Sequence, residues 1–271
     1  MKQTLVYSKA KTKSGEIGYV KVGDGKKPLV MITRYAATLY NWDSDLVFEL
    51  SKYFTVYLFD WRMVGHSNSN NSQDINGCVS DIHDAIVALH IYRPLMLGWS
   101  FGGVVAQEYY KAYPDNVSGM ILLSTFPDPR IASDEFVELA MGTDKALDDN
   151  EKAKLYQLLV SEIAHPDRPN LLKHNTLNIV NYHFRYANAA KELHNKFVLT
   201  SPGLGASELS QIKVPCLILN AKNDLSFPPI GREMFIQNIP NSKLIVYPRG
   251  GHLLIHHNGF NVALDIINYF I

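Results

Sequence analysis

A chain of 271 residues, 46% hydrophobic and 19% charged, has enough apolar content to bury a substantial core, as one large domain or two small ones. Lys plus Arg and Asp plus Glu both number 26, so the net charge is zero and no bulk field draws in nucleic acid or an anionic membrane. The apolar runs fall far short of the roughly twenty residues that cross a bilayer, and the opening MKQTLVYSKAKTKSGE lacks the apolar stretch of a signal peptide.

In chain order, Thr4 to Tyr7 and Ile17 to Val22 alternate around Ser14-Gly15 and predict an antiparallel hairpin closing at Gly23-Asp24-Gly25. A strand at Leu29 to Ile32, a helix over Asp43 to Lys52 and a strand at Thr55 to Phe59 follow. The helix predicted from Asp74 to His90 sets Ile75, Val79, Ile82, Ile86 and Leu89 on one stripe, the spacing of a helix packed on a sheet. Then come a strand at Leu95 to Leu97, a helix from Phe101 to Ala112 and a strand at Met120 to Leu123. After an interruption, the alternation resumes with a strand over Val214 to Leu219 and a helix from Ile230 to Ile239. A strand at Leu244 to Tyr247 and a helix over Phe260 to Ile271 close the chain. Strand–helix alternation of this kind predicts an α/β fold: a mostly parallel sheet of about eight strands with helices on both faces. The interruption carries only helical signals, at Ser133 to Met141, Asp149 to Ala164 and Pro169 to Ala190, with Ser133 and Asp149 as N-caps. The expected organisation is a core of residues 1–126 and 207–271, with an all-helical lid of residues 127–206 inserted over one edge of the sheet.

Gly98-Trp99-Ser100-Phe101-Gly102 stands between a predicted strand and a predicted helix. Gly-x-Ser-x-Gly in that setting is a nucleophile elbow: the turn is so sharp that side chains at 98 and 102 would collide with the neighbouring strand and helix. The serine then sits at a helix N-terminus, where backbone N–H groups meet developing negative charge. Two further loops follow parallel strands and open at the same carboxyl edge. One ends on Asp224, and the other, Pro248-Arg249-Gly250-Gly251-His252, ends on a histidine. The order Ser100, Asp224, His252 is that of a catalytic triad on this scaffold, with His252 as base and Asp224 orienting it. Asp128, after the strand at Met120, is the alternative acid, and the prolines on either side of it predict a turn instead.

With these residues in view, the whole chain resembles the α/β-hydrolase family with a lid. The hairpin start, Trp42, Asp60-Trp61-Arg62-Met63-Val64-Gly65-His66-Ser67 and Val214-Pro215 carry the likeness beyond the triad. The resemblance implies oxyanion donors at the backbone amides of Tyr35 and Phe101. It departs from the family at Thr33-Arg34, where His-Gly is common, and at Met63, where a glycine is common. Compensation between neighbouring loops, a specialised acyl pocket and a weakened enzyme all remain open as consequences. Arg34 and Trp99 are the candidate substrate contacts: Arg34 either grips an acid group of the substrate or points outward to surface acids and water.

The implied reaction is hydrolysis of a small carboxylic ester, thioester or lactone through an acyl-serine intermediate. The alternatives are a C–C bond hydrolase, a cofactor-free haloperoxidase or dioxygenase, and a receptor-like binding protein that has kept a slow triad. No cofactor and no metal are expected, because the lid histidines His165, His174 and His183 have no ligand spacing and no phosphate-binding glycine loop occurs. Cys78 and Cys216 are expected to be buried free thiols of a reducing, cytoplasmic setting. The expected partner is a small acyl substrate, with neither nucleic acid nor membrane, for a monomer or homodimer.

Overall fold

The computed structural model describes residues 6–34, 37–62, 64–65, 67–72, 74–141 and 201–271, with isolated positions 148, 150, 151, 154 and 159. The N-terminal hairpin pairs β1 (Tyr7–Thr12) with β2 (Gly15–Val22) across Lys13-Ser14, Thr12 facing Gly15. The turn lies where the sequence puts it, and the first described strand runs on from Tyr7, while Thr4 and Leu5 of the expected one lie outside the described residues. Pairing in this register buries Ala10 and Ile17 directly opposite each other.

The remaining strands are β3 (Lys27–Ile32), β4 (Phe54–Phe59), β5 (Asn68–Ser69), β6 (Leu95–Trp99), β7 (Gly119–Leu123), β8 (Cys216–Ala221) and β9 (Ser242–Tyr247). Their order is β1-β2-β4-β3-β6-β7-β8-β9, with the two-residue β5 attached to β2. Every pair from β4 to β9 along this path is parallel, while β2 meets both β1 and β4 antiparallel. Strands β6, β7 and β8 are buried at every position, as expected of central strands covered by helices on both faces.

Seven α-helices have described bounds: α1 (Ser44–Ser51), α2 (Ile75–Ala88), α3 (Phe101–Ala112), α4 (Asp134–Met141), α5 (Ala206–Leu209), α6 (Ile230–Asn238) and α7 (Leu254–Phe270). Asp43 and Asp74 cap α1 and α2 by accepting the Leu46 and Gly77 amides at 2.9 Å, which explains why both helices start one residue after the aspartate. On α2, Ile75, Val79, Ile82 and Ile86 are buried, each worth about 1.5–3 kcal/mol of transfer free energy. The last helix begins six residues earlier than its sequence suggests. Asn258 is non-helical inside it, and at Gly259 a Cβ would lie 2.1 Å from the Asp43 carboxylate. The Asn-Gly pair therefore kinks α7 against the start of α1 without ending it. Cys78 and Cys216 are buried free thiols whose pKa values burial pushes up. No described helix is long and apolar enough to cross a membrane.

Of the three helices expected in the insertion, Ser133 to Met141 is present as α4, with the Ser133 hydroxyl accepting the Phe136 amide at 3.3 Å. Of the expected helix Asp149 to Ala164 only residues 150, 151, 154 and 159 are described, each of them helical, and Pro169 to Ala190 lies outside the described residues. The two ends of the insertion meet: the Leu204 amide donates to the Pro127 carbonyl at 2.8 Å, and Gly203, at φ +66°, packs on Asp128.

One buried ion pair holds the sheet's edge to α2. Arg62 donates from Nε to Asp81 at 2.6 Å and from Nη1 to the Asn71 carbonyl at 2.8 Å, with both charged side chains almost wholly shielded. Arg62→Met leaves the buried Asp81 carboxylate its hydrogen bonds from Ser69 and Asn71 but removes its cation, and is expected to cost about 3–5 kcal/mol, read as a fall in the urea midpoint. A loss below about 1 kcal/mol would place the pair among exposed ion pairs in energy.

Candidate active site

The elbow is built by close approach. Ser100 adopts φ +56° and ψ −122°, a conformation that an L-residue keeps only when its surroundings impose it. A Cβ at Gly98 would lie 2.4 Å from the Gly102 carbonyl oxygen, and one at Gly102 would lie 2.2 Å from the Ile32 carbonyl oxygen. At Gly103 it would meet the Thr125 side chain at 2.4 Å. Glycine at all three lets α3 sit directly over the ends of β3 and β6. The backbone of Ser100 is fully engaged: its amide donates to the Leu123 carbonyl at 2.9 Å, and its carbonyl accepts from the Gly103 amide and from Thr125 Oγ1 at 2.6 Å. Ser100 stands at the N-cap of α3 without capping it by its side chain, so Oγ is left for another partner.

That partner is His252. Its Nε2 lies 2.9 Å from Ser100 Oγ, and its Nδ1 lies 3.1 Å from Asp224 Oδ2. Asp224 Oδ1 accepts the Ser226 amide at 3.0 Å and the Phe227 amide at 3.3 Å, which fixes the carboxylate plane toward the imidazole. Ser100, Asp224 and His252 are 3%, 7% and 1% exposed, so the chain of hydrogen bonds runs through a dry interior, where each is stronger than in water. The three residues arrive from the carboxyl ends of β6, β8 and β9, as their loops predict.

Asp128 takes no part. Its carboxylate accepts from Arg130 Nε at 2.8 and 2.9 Å, and Oδ1 also accepts the Arg130 amide. The Arg130 hydrogen bond is the main cause that lowers its pKa. The turn that its flanking prolines predict is present as a short 3₁₀ segment over Pro129–Ile131.

Four contributors around the imidazole were not singled out by the sequence. The Phe227 and Phe136 rings stand 4.9 and 5.7 Å from His252, and Phe126 packs on Phe227 at 4.1 Å. The Leu253 amide donates to the carbonyl of Leu159, a residue of the insertion, at 3.0 Å. Such contacts join residues far apart in sequence, and only the Ser133 capping signal ahead of Phe136 hints at one of them.

The loop after β3 is pinned from the neighbouring β4 loop. Trp61 Nε1 donates to the Arg34 carbonyl at 3.0 Å, and Asp60 Oδ1 accepts the Leu39 amide at 2.8 Å. Tyr35 and Met63 lie outside the described residues, whereas Phe101 is the first residue of α3, whose opening amides have no intrahelical acceptor. Arg34 corrects one expectation: it is 5% exposed, so the outward-pointing alternative does not hold. Its guanidinium carbon sits 5.5 Å from the ring centre of Trp99, a cation–π contact, and burial pushes its pKa down to about 10.

Comparison with known proteins agrees with this architecture. A Bacillus subtilis chain provisionally named 2-succinyl-6-hydroxy-2,4-cyclohexadiene-1-carboxylate synthase is 26% identical over 194 residues, 64% of either chain. A pimeloyl-[acyl-carrier protein] methyl ester esterase of Edwardsiella ictaluri is 30% identical over 105 residues, 39% of either chain. These matches thus span less than two thirds of each relative. Among solved structures, a serine hydrolase from the polyaromatic hydrocarbon-degrading bacterium Cycloclasticus zankles superposes with a TM-score of 0.82 at 18% identity, over 98% of this chain and 99% of that one. The family model described as alpha/beta hydrolase fold matches residues 27–258, and the chain belongs to that family.

Proposed function

We propose that the protein is a serine hydrolase that cleaves a small carboxylic ester, thioester or lactone through an acyl-serine intermediate. The observation that carries this reading is the unbroken line Asp224–His252–Ser100 at 3.1 and 2.9 Å, ending on a hydroxyl at a helix N-terminus. In the first half-reaction Ser100 Oγ bonds to the substrate carbonyl carbon while His252 Nε2 takes its proton. The carbonyl oxygen becomes an oxyanion, received by the Phe101 amide and, by family resemblance, the Tyr35 amide. Collapse breaks the bond to the leaving group, which departs with the proton from His252. Water then adds to the acyl-enzyme with His252 again as base, and the acid leaves as Ser100 recovers its proton. Asp224 keeps Nδ1 protonated throughout and stabilises the imidazolium. No cofactor or metal enters this sequence. The segment 127–206 is the lid in this reading, supported by the contacts of Phe136 and Leu159 beside His252.

A p-nitrophenyl ester series from acetate to octanoate tests the reading: saturable release of p-nitrophenol is expected for at least one acyl length. Release no faster than from Ser100→Ala protein at every length would refute ester hydrolysis. A C–C bond hydrolase using the same three side chains is the second reading, since the line Asp224–His252–Ser100 serves a ketone beside a scissile C–C bond as well as an ester. It requires a reactive Ser100 together with an inert ester series.

A further inference from the structure

The Trp99 indole connects the two reacting residues. It precedes Ser100 in the chain, and its Nε1 donates to the His252 carbonyl at 3.3 Å. Three polar side chains gather around it: the Arg34 guanidinium at 5.5 Å from its ring centre, the Trp42 ring at 5.4 Å and the His256 ring, edge-on, at 5.7 Å. The cluster is rich in donors. A guanidinium and an indole N–H can only donate, and a neutral imidazole still offers one N–H. His256 is held neutral: burial, then the Arg34 cation, then His257 push its pKa down to about 3. Trp42 Nε1 and His256 Nε2 are both shut off from solvent, and neither finds a hydrogen-bond partner among the described residues. The Trp42 N–H is a buried donor without an acceptor among the described residues, which is unfavourable, so an arriving acceptor gains a bond there, and the His256 imidazole can turn its one N–H to the same group. The group that suits a guanidinium fork flanked by N–H donors is a planar anion with two oxygens.

We propose that Arg34, Trp42 and His256 form a carboxylate subsite beside Ser100, so that the preferred substrate carries an acid group remote from its scissile carbonyl. This rests on the serine-hydrolase reading for the word substrate, but the subsite itself is a binding claim that can be read without turnover.

Monomethyl glutarate, which carries one carboxylate, and its neutral counterpart dimethyl glutarate separate the outcomes. The wild-type KM is expected to be about tenfold or more lower for the monoester, and Arg34→Met should raise the monoester KM about 10- to 100-fold more than the diester KM. Arg34→Lys, which keeps the charge but not the fork, should fall between. Equal KM changes on both esters, or a lower wild-type KM for the diester, would overturn the proposal. Because Arg34→Met removes a buried side chain, glutarate is also titrated calorimetrically into Ser100→Ala protein, with glutaramide as the neutral control. Binding of glutarate at least about tenfold tighter than glutaramide is expected, the lower end for a charge-assisted hydrogen bond. Equal binding would overturn the subsite. Glutarate binding without turnover of either ester would leave the subsite standing and remove the hydrolase reading. Equal turnover of both esters without selective glutarate binding would do the reverse.

Discussion

Ser100→Ala is expected to lower ester turnover by about 10⁶-fold, the loss typical of removing the nucleophile from a triad that works as a unit. The residue left behind keeps its place. The Ser100 amide still donates to Leu123, and its carbonyl still accepts from Gly103 and Thr125, because none of these bonds uses Oγ. The positive φ at this position is retained in the variant too, so the elbow's strain is unchanged and the fold should survive. What disappears is the oxygen 2.9 Å from His252 Nε2. The oxyanion donors and the pocket remain, and these alone account for a residual of roughly 10³–10⁴ over water. Steady-state kinetics on the best p-nitrophenyl ester, with circular dichroism to verify folding, read the effect. A folded variant within tenfold of wild type would mean that another group attacks the carbonyl.

Asp224→Asn should cost about 10⁴-fold in kcat, while Asp128→Asn should change it by less than about threefold. The large loss follows from hydrogen-bond polarity. Asp224 Oδ1 accepts two backbone N–H groups, from Ser226 and Phe227. In the asparagine variant the amide oxygen must take that position, since an NH₂ group there would face two donors. The NH₂ group then points at His252 Nδ1, which has to become the acceptor. The proton moves to Nε2, and the imidazole donates to Ser100 instead of receiving its proton. Asp128 has no such lever, because its carboxylate is occupied by Arg130. Comparing kcat for the two variants on one substrate checks this, and the reverse ranking would transfer the acid's role to Asp128.

Most of the frame that positions these residues was readable from pattern. The strands β3, β4 and β6 to β9 fall within two residues of the predicted runs at both ends, and α3 has the bounds that its sequence predicts. Strand–helix alternation fixes which sheet edge each loop opens on, so Ser100, Asp224 and His252 could be placed together before any distance was known. The failures share a cause: long-range packing decided them. Tyr7–Thr12 forms the first described strand, in a register that buries Ala10 against Ile17. The two-residue β5 has no pattern of its own and exists only as an edge of β2. The helix predicted from Phe260 begins at Leu254, because the Asn258-Gly259 contact with Asp43 kinks it without ending it. Arg34 is the most instructive case. Arginine is usually exposed unless paired, and the Trp99 face, brought near by the elbow, packs against its guanidinium here. The aromatic wall of Phe126, Phe136 and Phe227 likewise assembles from separate loops.

The central claim is a covalent bond between the acyl group and one serine. The most direct measurement is reaction with a fluorophosphonate, followed by peptide mass mapping of the modified protein. A single adduct on the peptide containing Gly98-Trp99-Ser100-Phe101-Gly102 is predicted, absent from folded Ser100→Ala protein and greatly slowed in His252→Ala. An adduct on a different serine, or none on wild-type protein that turns over esters, would contradict the account.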